Sequence, residues 1–128
     1  MTATGSLTTK IKIHPDKKAG KSTISRMSVE TQFLGDLQAF SKGYLLSVGG
    51  EIRGSAGFVA IERVTGILAG RRGTFALQHF STKRRGAPGM SVSVVVPDSG
   101  TGELTGLTGQ MDIRVMEAKY KFEYSLLE

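Results

Sequence analysis

Along most of the chain apolar residues occupy every second position, and glycine or a short polar cluster interrupts each run. Strict alternation of this kind is what a strand with one buried face requires. No stretch of about 12 or more residues repeats its apolar groups with the spacing of an amphipathic helix. The pattern predicts strands over residues 7–14, 22–34, 37–48, 55–65, 74–80, 90–96, 103–115 and 119–126. Between them lie His14-Pro15-Asp16-Lys17, Gly35-Asp36, a loop around Gly49-Gly50, the stretch Gly66 to Gly73, a charged loop from Lys83 to Gly89, and Pro97 to Gly102. The last has a clear mechanism: proline fixes φ, and aspartate and glycine tolerate tight backbone geometry. About eight short, evenly spaced strands favour a sandwich or barrel over any α/β fold. Closure also removes the exposed edges that invite aggregation. The expected fold is all-β, an eight-stranded antiparallel β-barrel forming a single domain over residues 1–128.

Composition sharpens this picture in three places. Glycine makes up 17 of 128 residues, nearly twice the usual share of about 7%, and the glycines fall singly between strand-like segments rather than in a repeat. Cysteine is absent, which excludes disulfides, thiolate nucleophiles and cysteine-based metal sites. The polar start of the chain and the absence of a long apolar run predict a cytoplasmic location without a membrane span. The net charge of +6 is concentrated at one end: Lys10, Lys12, Lys17, Lys18, Lys21 and Arg26 face only Asp16 there. No aromatic residues interleave with those lysines to stack bases, so a solvated hairpin explains them better than a nucleic-acid surface.

In a barrel a polar residue that shares a face with apolar neighbours is the informative one. Glu62 shares its face with Ala56, Phe58, Ala60 and Val64. If that face points inward, burial raises its pKa unless a cation or donor stabilises the charge, and such a carboxyl group suits acid–base catalysis. The surface alternative pairs it with Arg63, Arg53 or Arg71. On the next strand Gln78 lies with Thr74 and Ala76, and His79 with Phe75 and Leu77, so either can neighbour Glu62. Tyr44 adds a phenol, and the stripe Tyr120, Phe122, Tyr124, Leu126 reads as core or as a wall on which a ligand stacks. His14 and His79 are the two histidines and stand in no zinc-binding spacing, so no metal is expected. The glycines around residues 66–73 lack the lysine and the following helix of a phosphate loop, and no cofactor is expected.

Four stretches carry a family resemblance. They are Phe33-Leu34-Gly35-Asp36-Leu37, Ser55 to Gly66, Gly73-Thr74-Phe75-Ala76-Leu77-Gln78-His79, and Val95 to Leu107. In this order they resemble a bacterial family of uncharacterised proteins, domain of unknown function 3224, over nearly the whole chain. That family is similar in fold to allene oxide cyclases and dirigent proteins, so the resemblance implies an eight-stranded barrel and a homo-oligomer, trimeric or dimeric. Glu62, Arg63, Gln78 and His79 fall within its motifs. The basic first hairpin and the loop from Lys83 to Arg85 look particular to this chain. No activity follows from the resemblance, and fold-level analogy alone suggests an apolar ligand in the barrel.

Three functions therefore stand open. The first is a barrel binding a small, mainly apolar molecule through Tyr44, Arg63, Gln78, His79 and Tyr124. The second is an isomerase or cyclase using the same cavity with Glu62 as its acid–base group. The third is an interaction protein with a filled barrel.

Overall fold

The computed structural model describes residues 1–13 and 24–126. The predicted turn at His14 and the lysines at positions 17, 18 and 21 lie outside the described residues. Eight antiparallel strands, each paired with its neighbours in sequence and the last with the first, close a barrel in the order β1 to β8. They are β1 (Thr2–Ile13), β2 (Ser25–Gly35), β3 (Leu37–Gly49), β4 (Ala56–Leu68), β5 (Arg71–Arg84), β6 (Ala87–Val95), β7 (Leu107–Arg114) and β8 (Lys119–Leu126). Among the described residues the helical structure is two short 3₁₀ turns, Gly102–Leu104 and Val115–Glu117. No helix among them is long and apolar enough to cross a membrane.

The alternation read from the sequence is the alternation observed. Leu37, Ala39, Ser41 and Leu45 on β3, and Ala60, Glu62, Val64 and Leu68 on β4, point inward and are buried, while Gln38, Phe40, Lys42 and Tyr44 on β3, and Ile61 and Arg63 on β4, point outward and are exposed. Two expectations need correction. The glycine-rich stretch around Gly70 and the charged loop at Lys83–Gly89 are not loops: β4 to β5 and β5 to β6 turn through two residues each. Ala69 and Gly70 have φ of 48° and 83°, and Arg85 and Gly86 have φ of 51° and 84°. Positive φ at both central residues is the hairpin geometry whose twist matches that of the strands, so the ladders run to the turn. β1 likewise starts earlier than expected, because Thr2 to Ser6 pair with Lys119 to Glu123 of β8 and close the barrel.

One end of the interior is solid. Phe33, Phe75, Phe122, Leu37, Leu68, Leu77, Leu104 and Leu107 are almost fully buried there. Leu104 comes from the 3₁₀ turn in the β6–β7 connection and acts as a plug. The Tyr120 hydroxyl accepts from the Leu37 amide at 3.0 Å and lies within donating distance of the Leu34 and Leu37 carbonyls, pinning the β2–β3 turn. The seam between β6 and β7 is weaker: a single residue pair, Val94 with Gln110, joins them. Pro88, which has no amide proton to give, sits on the part of β6 without a β7 partner, where a proline is tolerated.

Candidate functional site

The other end of the interior, toward the β1–β2, β3–β4 and β5–β6 hairpins, carries the polar groups. Each reaches the lumen by strand alternation. Glu62 follows Ala60 on β4, His79 follows Leu77 on β5, and Ser93 precedes Val95 on β6. The register sets His79 opposite Ala60 on one side and Ser93 on the other, so Glu62 lies diagonally next to the imidazole. Ser41 on β3 and Thr31 on β2 complete the ring, and all five residues are buried. Gly43, opposite Glu62, makes this approach possible: a Cβ there would overlap the Ile61 carbonyl oxygen.

A continuous hydrogen-bonded chain links them. Ser93 Oγ lies 2.7 Å from His79 Nδ1, and His79 Nε2 lies 2.7 Å from Glu62 Oε2. The second carboxylate oxygen accepts from Ser41 at 2.9 Å and from Thr31 at 3.2 Å. Thr31 in turn meets Thr9, 3.2 Å away, at the rim. Burial pushes the Glu62 carboxyl up, but the hydrogen bond and charge of His79 and the hydroxyls of Ser41 and Thr31 together hold it below the usual carboxylate range. An ionised carboxylate only accepts, so Nε2 carries a proton. With the ring neutral, Nδ1 is then an acceptor and Ser93 donates to it. When the ring takes a second proton, the Ser93 hydroxyl turns and accepts. Glu62 therefore fixes the tautomer that leaves a basic nitrogen against a serine hydroxyl.

Ser93 is also where this chain meets solvent-accessible space. Because β6 and β7 share one residue pair, a groove of about 340 Å³ opens along their seam, lined by Ser91, Val92, Ser93, Gln110 and Met111 and by the charged Asp112, Lys121 and Glu123. A second groove of about 560 Å³ lies further along the same seam, between Val94, Gly109, Tyr124 and Met1. Toward the rim above Ala60 the lumen-facing side chains are apolar or small: Leu45 is buried, Phe58 is 37% exposed and Ile11 54% exposed.

The residues singled out from the sequence are divided by this geometry. Glu62 and His79 come together inside. Gln78 and Arg63, their immediate neighbours in sequence, necessarily point outward, as does Tyr44, which is 61% exposed. Tyr124 is buried in the aromatic stripe, its ring centroid 5.3 Å from that of Phe122, away from the polar chain. Ser93, Ser41 and Thr31 escaped the sequence reading. For Ser41 and Thr31 the signal was present, since each is a hydroxyl on an otherwise apolar face, but small uncharged residues on such faces are common enough to pass as packing; Ser93 shares its face with Ser91 and carried no such signal. Among the described residues no group of three or more His, Asp or Glu side chains is arranged to hold a metal ion.

Comparison with known proteins agrees with this barrel. A family model described as "Protein of unknown function (DUF3224)" matches residues 3–124. The chain belongs to this family. A crystal structure of a DUF3224 protein of unknown function from Shewanella oneidensis MR-1 superposes with a TM-score of 0.91 and 38% sequence identity, covering 100% of this chain and 98% of that one. No curated protein matches. The DUF3224 match spans β1 to β8, so Glu62, His79 and Ser93 all fall inside the family's domain.

Proposed function

We propose that this DUF3224 protein binds a small, mainly apolar molecule at the hairpin end of its barrel and moves a proton on it, as an isomerase or cyclase does. The observation that carries this reading is the Ser93–His79–Glu62 chain, buried in the lumen with the hydroxyls of Ser41 and Thr31 and ending at a groove. A core that needed only filling gains nothing from an ionised carboxylate. Charge burial costs several kcal/mol, and an apolar side chain of similar volume commonly packs at least as well. Titratable groups perturbed by specific partners beside a cleft are one mark of a working site.

The roles follow from the bonding. Glu62 has both oxygens occupied and acts as a positioning residue that holds charge and tautomer. His79 is the base, and Ser93 is its outlet: a substrate proton passes to the Ser93 oxygen as the serine proton passes to His79 Nδ1. Reprotonation at a second substrate atom reverses these steps and leaves the enzyme unchanged. Leu45, Phe58 and Ala60 supply an apolar wall and keep water from competing. The resemblance to allene oxide cyclases points the same way, at the level of fold alone.

The test begins with the protein purified from its own host and examined by native mass spectrometry, with release and identification of any bound compound. A stoichiometric compound that the wild type converts, and that Glu62→Gln binds without converting, is the expected result. A compound held but never converted would leave a binding barrel without chemistry. No compound, together with no uptake of small apolar ketones or enones, would sink the reading.

A further inference from the structure

The outer wall of the barrel is not uniform. On β1 and β8 the outward residues are Thr2, Thr4, Ser6, Thr8, Lys10, Lys119, Lys121, Glu123 and Ser125, a surface made for water. Across β3, β4, β5 and β6 the outward positions are different. Tyr44, Leu46 and Val48 on β3, Val59 and Ile61 on β4, and Phe80 on β5 are each between 37% and 61% exposed. The register makes them one surface. Leu46, Val59, Phe80 and Val92 form one cross-strand row, and Tyr44, Ile61, Gln78 and Val94 form the next. Between β3 and β6 no charged side chain interrupts these two rows; Arg26 stands at the β2 end of the first, opposite Leu46, and Lys42 and Arg63 flank the second as a cross-strand pair.

The exposed parts of the six large residues amount to on the order of 500 Å², close to the upper limit of about 600 Å² for the largest apolar patch of a typical monomer. With Gln78 and the half-buried Val92 and Val94 the patch approaches the roughly 800 Å² that each partner gives to a standard interface. We propose that this wall is a self-association surface, and that its occupant is the same wall of a second copy of this chain. The face is uncharged between β3 and β6 and offers no groove for a peptide, and its basic groups, Arg26, Lys42 and Arg63, lie at the margin. Aromatic and branched aliphatic residues at the centre with lysine and arginine at the margin are the composition of an interface core and its rim. Tyr44 is already held for contact, with the Arg26 guanidinium 5.7 Å from its ring centroid. Gln78, the uncharged polar group in the two rows, can pair with its symmetry equivalent near a two-fold axis.

This inference is independent of the chemistry in the lumen and is tested by mass in solution. Sedimentation velocity on the wild-type chain over a concentration series should give the mass of two chains, since a patch that pairs with itself closes as a dimer. Ile61→Lys and Val59→Lys, which place a charge at the centre of the patch, should each reduce it to the mass of one chain. Thr108→Lys on β7 should leave the assembly unchanged. Because Ile61 and Val59 are more than half exposed in the single chain, the lysine variants should keep the wild-type far-ultraviolet circular dichroism. A wild-type chain that sediments as a monomer at about 100 μM, well above the micromolar affinity that the weaker standard-size interfaces reach, would overturn the proposal. So would an assembly that survives both lysine substitutions.

Discussion

The two ends of the barrel interior obey opposite rules. At the plugged end Phe75 stacks on Phe122 at 5.9 Å and Phe33 meets Tyr120 edge-on at 5.5 Å, with Leu104 and Leu107 filling what remains. Nothing there titrates in the physiological range. At the hairpin end Glu62, His79, Ser93, Ser41 and Thr31 occupy lumen positions of the same strands and the same alternation. The same backbone therefore offered apolar packing at both ends, and side chains took it at one. Stability is concentrated where the rings are, and the polar end is a place where the sequence gives up packing to hold a charge and a basic nitrogen.

The largest expected effect comes from breaking the plugged end. Phe122→Ala removes a fully buried ring touching Phe75 and Tyr124, and should cost about 3–5 kcal/mol in urea unfolding. The hydrogen-bonded chain at the other end should survive at low temperature, read from the His79 ring resonances. A loss well under 2 kcal/mol, below the usual range for such a truncation, would mean that the rings are not the stabilising half.

Substitutions at Glu62 come next and separate charge from shape. Glu62→Leu leaves the His79 Nε2 proton and the hydroxyls of Ser41 and Thr31 without their acceptor, a penalty of about 1–3 kcal/mol that the added apolar area only partly offsets. Glu62→Gln can rebuild the chain. Its carbonyl oxygen accepts from Ser41 and Thr31, its amide donates to Nε2, and His79 then carries its proton on Nδ1 and donates to Ser93. That variant should lose about 1 kcal/mol or less, with the tautomer inverted. The ¹⁵N shifts of His79 report the inversion directly. Unchanged shifts in Glu62→Gln would remove the argument that Glu62 sets the tautomer.

How much of this the sequence disclosed depends on range. The alternation of Ala60, Glu62 and Val64 assigns Glu62 to an apolar face without any knowledge of the fold, because the period of a strand is local. The same rule places His79 with Leu77 and forces Gln78 and Arg63 to the other side of the wall, so Glu62 and Arg63 could not both line one lumen. Which face is inside is a property of closure, fixed by long-range register, and so the outward Tyr44 was not separable from an inward one. Ser93 illustrates the remaining gap. Its role depends on lying beside His79 across β5 and β6 and on the single-pair seam with β7, neither of which leaves a mark on a serine between two valines.

The smallest effect is also the sharpest probe of the polar end. Against the effect of burial, hydrogen bonds and charge from His79, with the hydroxyls of Ser41 and Thr31, hold the Glu62 carboxyl below its ordinary value of about 4.5 in the folded chain. As pH falls through that value the unfolded chain takes up its proton first, so the stability contributed by the ionised form is complete at higher pH and drains away until the folded group is protonated too. The stability gap between wild type and Glu62→Gln should therefore narrow as pH drops below about 4.5, the other carboxylates cancelling in the difference. Thr31→Val removes one of the two hydroxyl donors to Oε1 and should cost about 1 kcal/mol or less at neutral pH. It should also move the Glu62 titration, followed by the ¹³C shift of its carboxyl carbon, upward toward the ordinary value. A titration that stays in place would mean that His79 and Ser41 hold the charge and that Thr31 is only packed against it. The case that the five residues of the polar end were assembled for chemistry would then narrow to Ser93, His79, Glu62 and Ser41.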